Sequence, residues 1–170
     1  KQWKSMKGPA LMAGFISPLA GSEAWKTFDG KIGGVMNSIF ELGSAIYSPK
    51  VPASQDFYNK YKSTFGKPIQ GGHGVAPAYE SVYILAEAIE RAGSLDPDAI
   101  VAELKKTDRK GVMGRVRYDE GNQAVYGTDP SENAIGLVFQ WTEDGQRKIV
   151  FPASVAEAKI QLPPGLKSLK

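Results

Sequence analysis

Residues 78–92 constrain the fold of this chain more than any other stretch. Val82, Leu85, Ala86 and Ile89 recur at helical spacing, with Glu80, Glu87, Glu90 and Arg91 between them. A period of about 3.6 residues with one apolar side predicts an amphipathic helix whose stripe lies against a packed layer, the four charged residues facing outward. Gly93 offers the left-handed residue that ends it. A second helix is predicted directly afterwards. Asp96 is placed to cap it, Pro97 to fill its first position, and Ile100, Val101 and Leu104 to form its apolar face. Lys105 and Lys106 fall at its electronegative carboxyl end.

On both sides of this helix pair the pattern changes. Residues 10–15 and 34–40 read as short strands, separated by a short helix carrying Ala24, Trp25 and Phe28 that Asp29-Gly30 closes. Pro49 and Pro52 make residues 47–53 irregular, a linker or crossing segment. Ser54 is placed to cap a helix buried through Phe57, Tyr58, Tyr61 and Phe65 and stopped by Gly66. Downstream, Val112, Gly114, Val116 and Tyr118 alternate with Met113, Arg115 and Arg117, which predicts one half-buried strand. Residues 135–141 predict another, returned through 147–151 by the turn Glu143-Asp144-Gly145. A tail containing Pro163-Pro164 is expected to drape over a surface. Strands, then helices, then strands indicate a three-layer α/β arrangement. Few of the strands are apolar throughout, as a complete doubly wound sheet requires, and Trp3 stands beside the first residue. The expectation is a piece whose sheet partners lie elsewhere.

Composition removes several function classes. A chain of 170 residues, 42% hydrophobic and 23% charged, has the make-up of a globular protein with one sizeable domain or two smaller lobes. No apolar run reaches the roughly 18 residues that span a bilayer, and Lys1, Lys4 and Lys7 are not followed by a signal-peptide pattern. The net charge of +3 comes from 21 basic and 18 acidic residues that alternate in sign, not from the basic stripe of a nucleic-acid binder. The absence of cysteine rules out disulfides, thiolate metal sites and cysteine nucleophiles, and suits an oxidising exterior.

Chemistry is equally sparse. His73 is the one histidine, and no acidic spacing matches a calcium loop; Asp119-Glu120-Gly121-Asn122 reads as a β-turn. No G-x-S-x-G elbow accompanies His73, so it is read as a loop histidine or a ligand-lining one, not as a base. The glycines at 71, 72 and 74 lack the dinucleotide fingerprint. Glu23, Glu41, Glu80 and Glu120 form no recognisable pair. Residues 71–76, ahead of one helix, and 15–21, ahead of another, offer free N–H groups that favour a carboxylate or other electron-rich group; a plain connecting role fits both equally well.

Several stretches in order carry a resemblance. They are the run from Ala78-Tyr79-Glu80-Ser81 to Arg91-Ala92-Gly93, Asp96-Pro97-Asp98-Ala99-Ile100-Val101, Gly111-Val112-Met113-Gly114 through Asp119, Phe139-Gln140-Trp141, and the turn Phe65-Gly66-Lys67-Pro68. Together they resemble the C-terminal half of the branched-chain amino acid type extracellular ligand-binding proteins, the type I periplasmic receptors of ABC importers. The resemblance implies an α/β chain forming part of a two-lobed type I periplasmic-binding-protein fold, with three-layer α/β/α lobes joined by a hinge. Residues 1–45 would belong to the second lobe, 46–130 to the hinge crossing and the returning part of the first lobe, and 131–170 to the second-lobe hairpin and tail. Crossings are expected at residues 42–54 and 126–132.

The same resemblance implies capture of a small amino-acid-like or organic-acid solute, without catalysis and without cofactor or metal. It implies an ABC permease as partner, the N-terminal part of the receptor as a further segment or separate chain, and no nucleic acid. The location implied is periplasmic or extracellular, from a precursor with a signal peptide, or lipid-anchored through its N-terminal region. The ligand-facing residues it points to are Phe15, Ile16, Ser17, His73, Gly74, Val75 and Tyr79. Where amino-acid receptors commonly place an acid for the ligand ammonium, this chain has Phe15, Ile16 or Ser17, which opens the way to an aromatic acid or an amide. An α/β enzyme of small molecules and a ligand-sensing regulatory domain are the competing readings.

Overall fold

The computed structural model describes residues 1–163 and 166; Pro164 of the expected tail, with Lys167 and Lys170, lies outside them. In chain order the elements are α1 (Gln2–Ser5), β1 (Ala13–Gly14), a 3-10 turn (Ser17–Leu19), α2 (Glu23–Thr27), β2 (Met36–Ile39), α3 (Pro52–Phe65), α4 (Val75–Ala92), α5 (Pro97–Leu104), β3 (Asp108–Gly111), β4 (Gly114–Arg117), β5 (Tyr126–Gly127), β6 (Ala134–Ile135), β7 (Leu137–Trp141) and β8 (Arg147–Phe151). They build two mixed sheets, β1-β2-β7-β8 and β3-β4-β6-β5. In the first, β1 and β2 are parallel and β2, β7 and β8 antiparallel. No helix among the described residues is long and apolar enough to cross a membrane.

Each sheet has its own core. Ile39, Leu137, Phe139, Trp141 and Ile149 of the first sheet pack with Leu19, Ala24, Tyr58 and Ile69. A smaller cluster joins Val112, Met113 and Val116 to Ala76 and Ile84 of α4. Arg147 ties the first core together: it donates to the carbonyl of Ala20 and, at 3.3 Å, to that of Ala45, with its guanidinium 5.7 Å from the Trp141 ring centre. β1 is short because the chain leaves the sheet at Ile16. There the Asn37 side chain takes over strand pairing, receiving the Ile16 N–H at 2.8 Å and donating to its carbonyl at 3.1 Å.

Three local expectations are overturned. Ser54 does not cap α3, which starts with Pro52 at its first position; its buried hydroxyl accepts the Ser48 N–H at 3.1 Å and donates back to carbonyls of the preceding loop. The strand expected from Val112 onward is the second arm of a hairpin, β3 paired with β4, whose tip is Val112-Met113 with Gly114 at φ 96°. The strand expected at 135–141 is two strands in different sheets, divided at Gly136, so the chain passes between sheets there and not within residues 126–132.

The largest reversal concerns α4. Glu80, expected outside, is 2% exposed, while Val82, expected inside, is 67% exposed; Leu85 and Ala86 are exposed with it. Glu80 turns inward because it has partners there: it accepts the Val112 N–H at the hairpin tip and meets Arg109 Nε at 2.8 Å, and Arg109 also reaches Glu87. A buried carboxylate is tolerable only when paired in this way. The apolar stripe is left as an uncovered face of an 18-residue helix. Glu80→Ala leaves the Val112 N–H without its acceptor while the half-buried Arg109 keeps Glu87, so it is expected to lower stability by about 1–3 kcal/mol. Urea unfolding followed by circular dichroism checks this; a loss below about 1 kcal/mol would place the network at the surface in energetic terms.

Candidate functional site

The chain passes between its sheets twice, and the two crossings touch. Residues 40–46 leave β2 towards α3, Gly136 divides β6 from β7, and the Leu42 N–H donates to the Ile135 carbonyl at 2.9 Å. The approach is close enough to require glycine: a Cβ on Gly136 would lie 3.3 Å from the Phe40 carbonyl oxygen, and one on Gly43, at φ 94°, 2.8 Å from that of Val112.

At this crossing Phe40 and Glu41 differ sharply in burial, across the bend that follows β2. Phe40 is 62% exposed and Glu41 4% exposed. Phe40 stacks on Phe15 with ring centres 4.4 Å apart; Phe15 lies 4.7 Å from the His73 ring and Phe40 5.8 Å. Beneath them, Glu41 Oε1 accepts the Gly74 N–H at 2.6 Å and Oε2 faces His73 Nδ1 at 3.3 Å. Ser44 Oγ accepts the Ala76 N–H at 3.2 Å. The amino end of α4, whose own cap residue Gly74 has no side chain, is therefore capped from the crossing segment. Nε2 of His73 is enclosed and has no hydrogen-bond partner among the described residues. Tyr126 stands near the same carboxylate: burial, and then the Glu41 charge, raise its phenol above the ordinary tyrosine range.

The structure brings Phe15, His73 and Gly74 together. Ile16 lies beside them with an exposed side chain, its backbone held by Asn37. Ser17 opens the 3-10 turn and packs against the glycine loop, its carbonyl 3.4 Å from where a Cβ of Gly72 would be. Val75 packs into the first core. Tyr79 is not brought to this wall; it packs on Phe57 at 4.4 Å and Tyr83 at 5.0 Å, beside the second core. Sequence reasoning missed Phe40, Glu41 and Tyr126. The available signal was Phe40-Glu41 at the end of a strand, an aromatic and an acid on opposite faces.

The anion-binding reading of the two loops is corrected as well. Two of the N–H groups at the start of α4, those of Gly74 and Ala76, are taken by the protein's own Glu41 and Ser44. Those near α2, a helix of five residues, are taken by Asn37 and by Gln70, which receives the Glu23 N–H at 3.2 Å. No group of metal-ligating side chains occurs among the described residues.

The chain matches the family described as periplasmic binding protein over residues 13–145. It belongs to that family. Solved structures agree on the fold. A putative branched-chain amino acid ABC transporter protein from Silicibacter pomeroyi is similar with TM-score 0.76 at 16% identity, over 97% of this chain and 43% of that one. The leucine binding protein of Thermotoga maritima is similar with TM-score 0.54 at 26% identity, over 75% and 33%. An ABC transporter substrate-binding protein from Desulfitobacterium hafniense, solved with Leu, gives 0.51 at 22%, over 70% and 32%. No curated protein matches. The chain thus spans less than half the length of these structures, as an α/β unit with mixed sheets that resembles one lobe of the type I periplasmic-binding-protein fold.

A cap supplied from the crossing should be measurable. Glu41→Ala is expected to cost about 1–2 kcal/mol and to speed hydrogen exchange at the Gly74 and Ala76 amides, whereas Glu41→Gln retains part of the protection. Unchanged exchange at Gly74 in the alanine variant would show that Glu41 does not hold the helix.

Proposed function

We propose that this chain is part of the solute-binding component of an ABC importer, acting outside the cytoplasmic membrane and performing no chemistry on its solute. The observation that carries the reading is the wall of Phe15, Phe40 and His73 standing at the place where the chain crosses between its sheets. A wall at a hinge is what capture by closure needs, since contacts made from both sides favour the closed form. Family membership supports the same role.

In this reading residues 1–45 and the chain from β7 onward serve the second lobe, and the residues between them, through β6, the crossing and part of the first. The exposed stripe of α4, with Val82 and Leu85, is the surface on which the remaining sheet of the first lobe packs, in the same polypeptide or another. The share of each relative that the chain spans supports that arrangement. The closed receptor then docks on a membrane permease. The solute is amino-acid-like or an organic acid, held on this side by Phe15, Phe40 and His73, with Ile16, Ser17 and Gly74 beside them. Val75 and Tyr79 shape the wall from the core behind it. The Glu41–His73 pair has the form of a base and its orienting acid, yet no hydroxyl lies within hydrogen-bond distance of Nε2 to act as nucleophile.

Solute released from the native receptor and identified by mass spectrometry supplies the ligand for calorimetry. His73→Ala is expected to weaken its binding about tenfold or more, with no product formed by either protein. The chain on its own is expected to bind at least about tenfold more weakly than the chain joined to its first lobe. Equal affinity of the two would refute the two-walled reading, and turnover of the solute would favour an enzyme.

A further inference from the structure

We infer that the cleft lined by Phe40, Tyr126 and Phe151 is an aromatic site for a quaternary ammonium group, such as the trimethylammonium end of a betaine. The inference rests on the solute-binding reading and deepens it, since a betaine is amino-acid-like. Strand register builds the cleft. β5 sets Tyr126 opposite Ala134 and β8 sets Phe151 opposite Val138, so the two rings stand on either side of Gly136, one on each sheet. Phe40 joins them from the other crossing, where its carbonyl approaches Gly136. Together with Gly127, Thr128 and Gly136 the three rings bound a space of about 540 Å³. The Ser154 hydroxyl donates to the Thr128 carbonyl, which ties the segment after β8 to the loop after β5 and holds the two sides together. Tyr126 and Phe151 are about half exposed and Phe40 more so, and aromatic surface left in water gains when a ligand covers it.

Charge selects the occupant. Among the described residues no charged side chain lines the cleft. An anion would meet no cation there, and the charge that acts on the Tyr126 phenol is the negative one of Glu41. That carboxylate offers a primary ammonium nothing to bind: its side chain is 5% exposed, one oxygen holds the Gly74 N–H and the other faces His73. An ammonium with N–H donors would lose its water without equivalent acceptors. A quaternary ammonium has no N–H to satisfy. It is a cation inside an apolar shell, held by the faces of aromatic rings, and a negative charge favours it without touching it. Phe40 belongs also to the wall with Phe15 and His73, so the rest of the solute can extend onto that wall from the same ring.

The two-lobed receptor is titrated by calorimetry with leucine and with two pairs of probes, choline against 3,3-dimethyl-1-butanol and glycine betaine against 3,3-dimethylbutanoate. Within each pair the shape is kept and the ammonium nitrogen becomes carbon. In at least one pair the ammonium compound is expected to bind about tenfold or more tightly than its carbon analogue and than leucine. Tyr126→Leu and Phe151→Leu should each cut that preference by about threefold or more, whereas Tyr126→Phe keeps the ring and the preference. A smaller preference in both pairs, tighter binding of leucine than of either ammonium compound, or an undiminished preference in either leucine variant overturns the quaternary-ammonium assignment and leaves the receptor reading standing. Binding of none of the five probes overturns the assignment; if the native receptor also releases no solute on denaturation, the solute-binding reading falls with it.

Discussion

The inward turn of Glu41 is the contact on which the rest of the site depends. A carboxylate with 4% exposure persists only where donors replace its water. Here those donors are the N–H at the amino end of an 18-residue helix and an imidazole on the preceding loop. One side chain thereby joins the crossing segment, the glycine loop and α4, and Ser44 repeats the link one turn further on. The outward face of the wall begins one residue before it. Phe40, at the bend before Glu41, is left facing solvent with Phe15 and His73 as its neighbours.

Much of this architecture is legible in the residues, and the parts that are not share a cause. Helix existence is local: Gly66 and Gly93 take left-handed conformations at the ends of α3 and α4, and Asp96 accepts the Ala99 N–H at 3.0 Å as a cap should. Helix orientation is not local. The stripe Val82, Leu85, Ala86 is apolar yet faces outward, and the inner side, with Ala76, Ile84 and Ala88, is chosen by Arg109 and the Val112 N–H, which come from a hairpin that folds back onto the helix. The small tip residues of that hairpin mislead for the same reason. Val112 falls in step with Gly114, Val116 and Tyr118 as on a strand, yet with Met113 it forms a buried turn packed against α4.

The site divides along the same line. Phe15, His73 and Gly74 sit in glycine-bounded loops that the sequence announces, and the structure gathers them. Tyr126 carries no local mark, since what distinguishes it is the nearby charge of Glu41, a residue far away in sequence. Gly136 shows the limit in its simplest form. The run from Ile135 to Trp141 is continuous in β-forming character, and only its pairing partners, β4 and β5 on one side and β2 and β8 on the other, reveal that it changes sheet.

That change of sheet bears directly on how a solute is gripped. Phe40 belongs to the crossing itself, one residue past β2 and packed by its carbonyl against Gly136, whereas Phe15 stands at the end of β1 and His73 on the loop that leads into α4. The platform is thus assembled from the edge of one sheet, the connection between sheets, and the start of the helix that packs on the other. Rotation of one sheet against the other about Gly43 and Gly136 cannot leave these three rings unmoved relative to one another. In the receptor reading proposed above, a solute lying on them would act on the crossing through its own contacts, which is where differential affinity for two arrangements would have to arise.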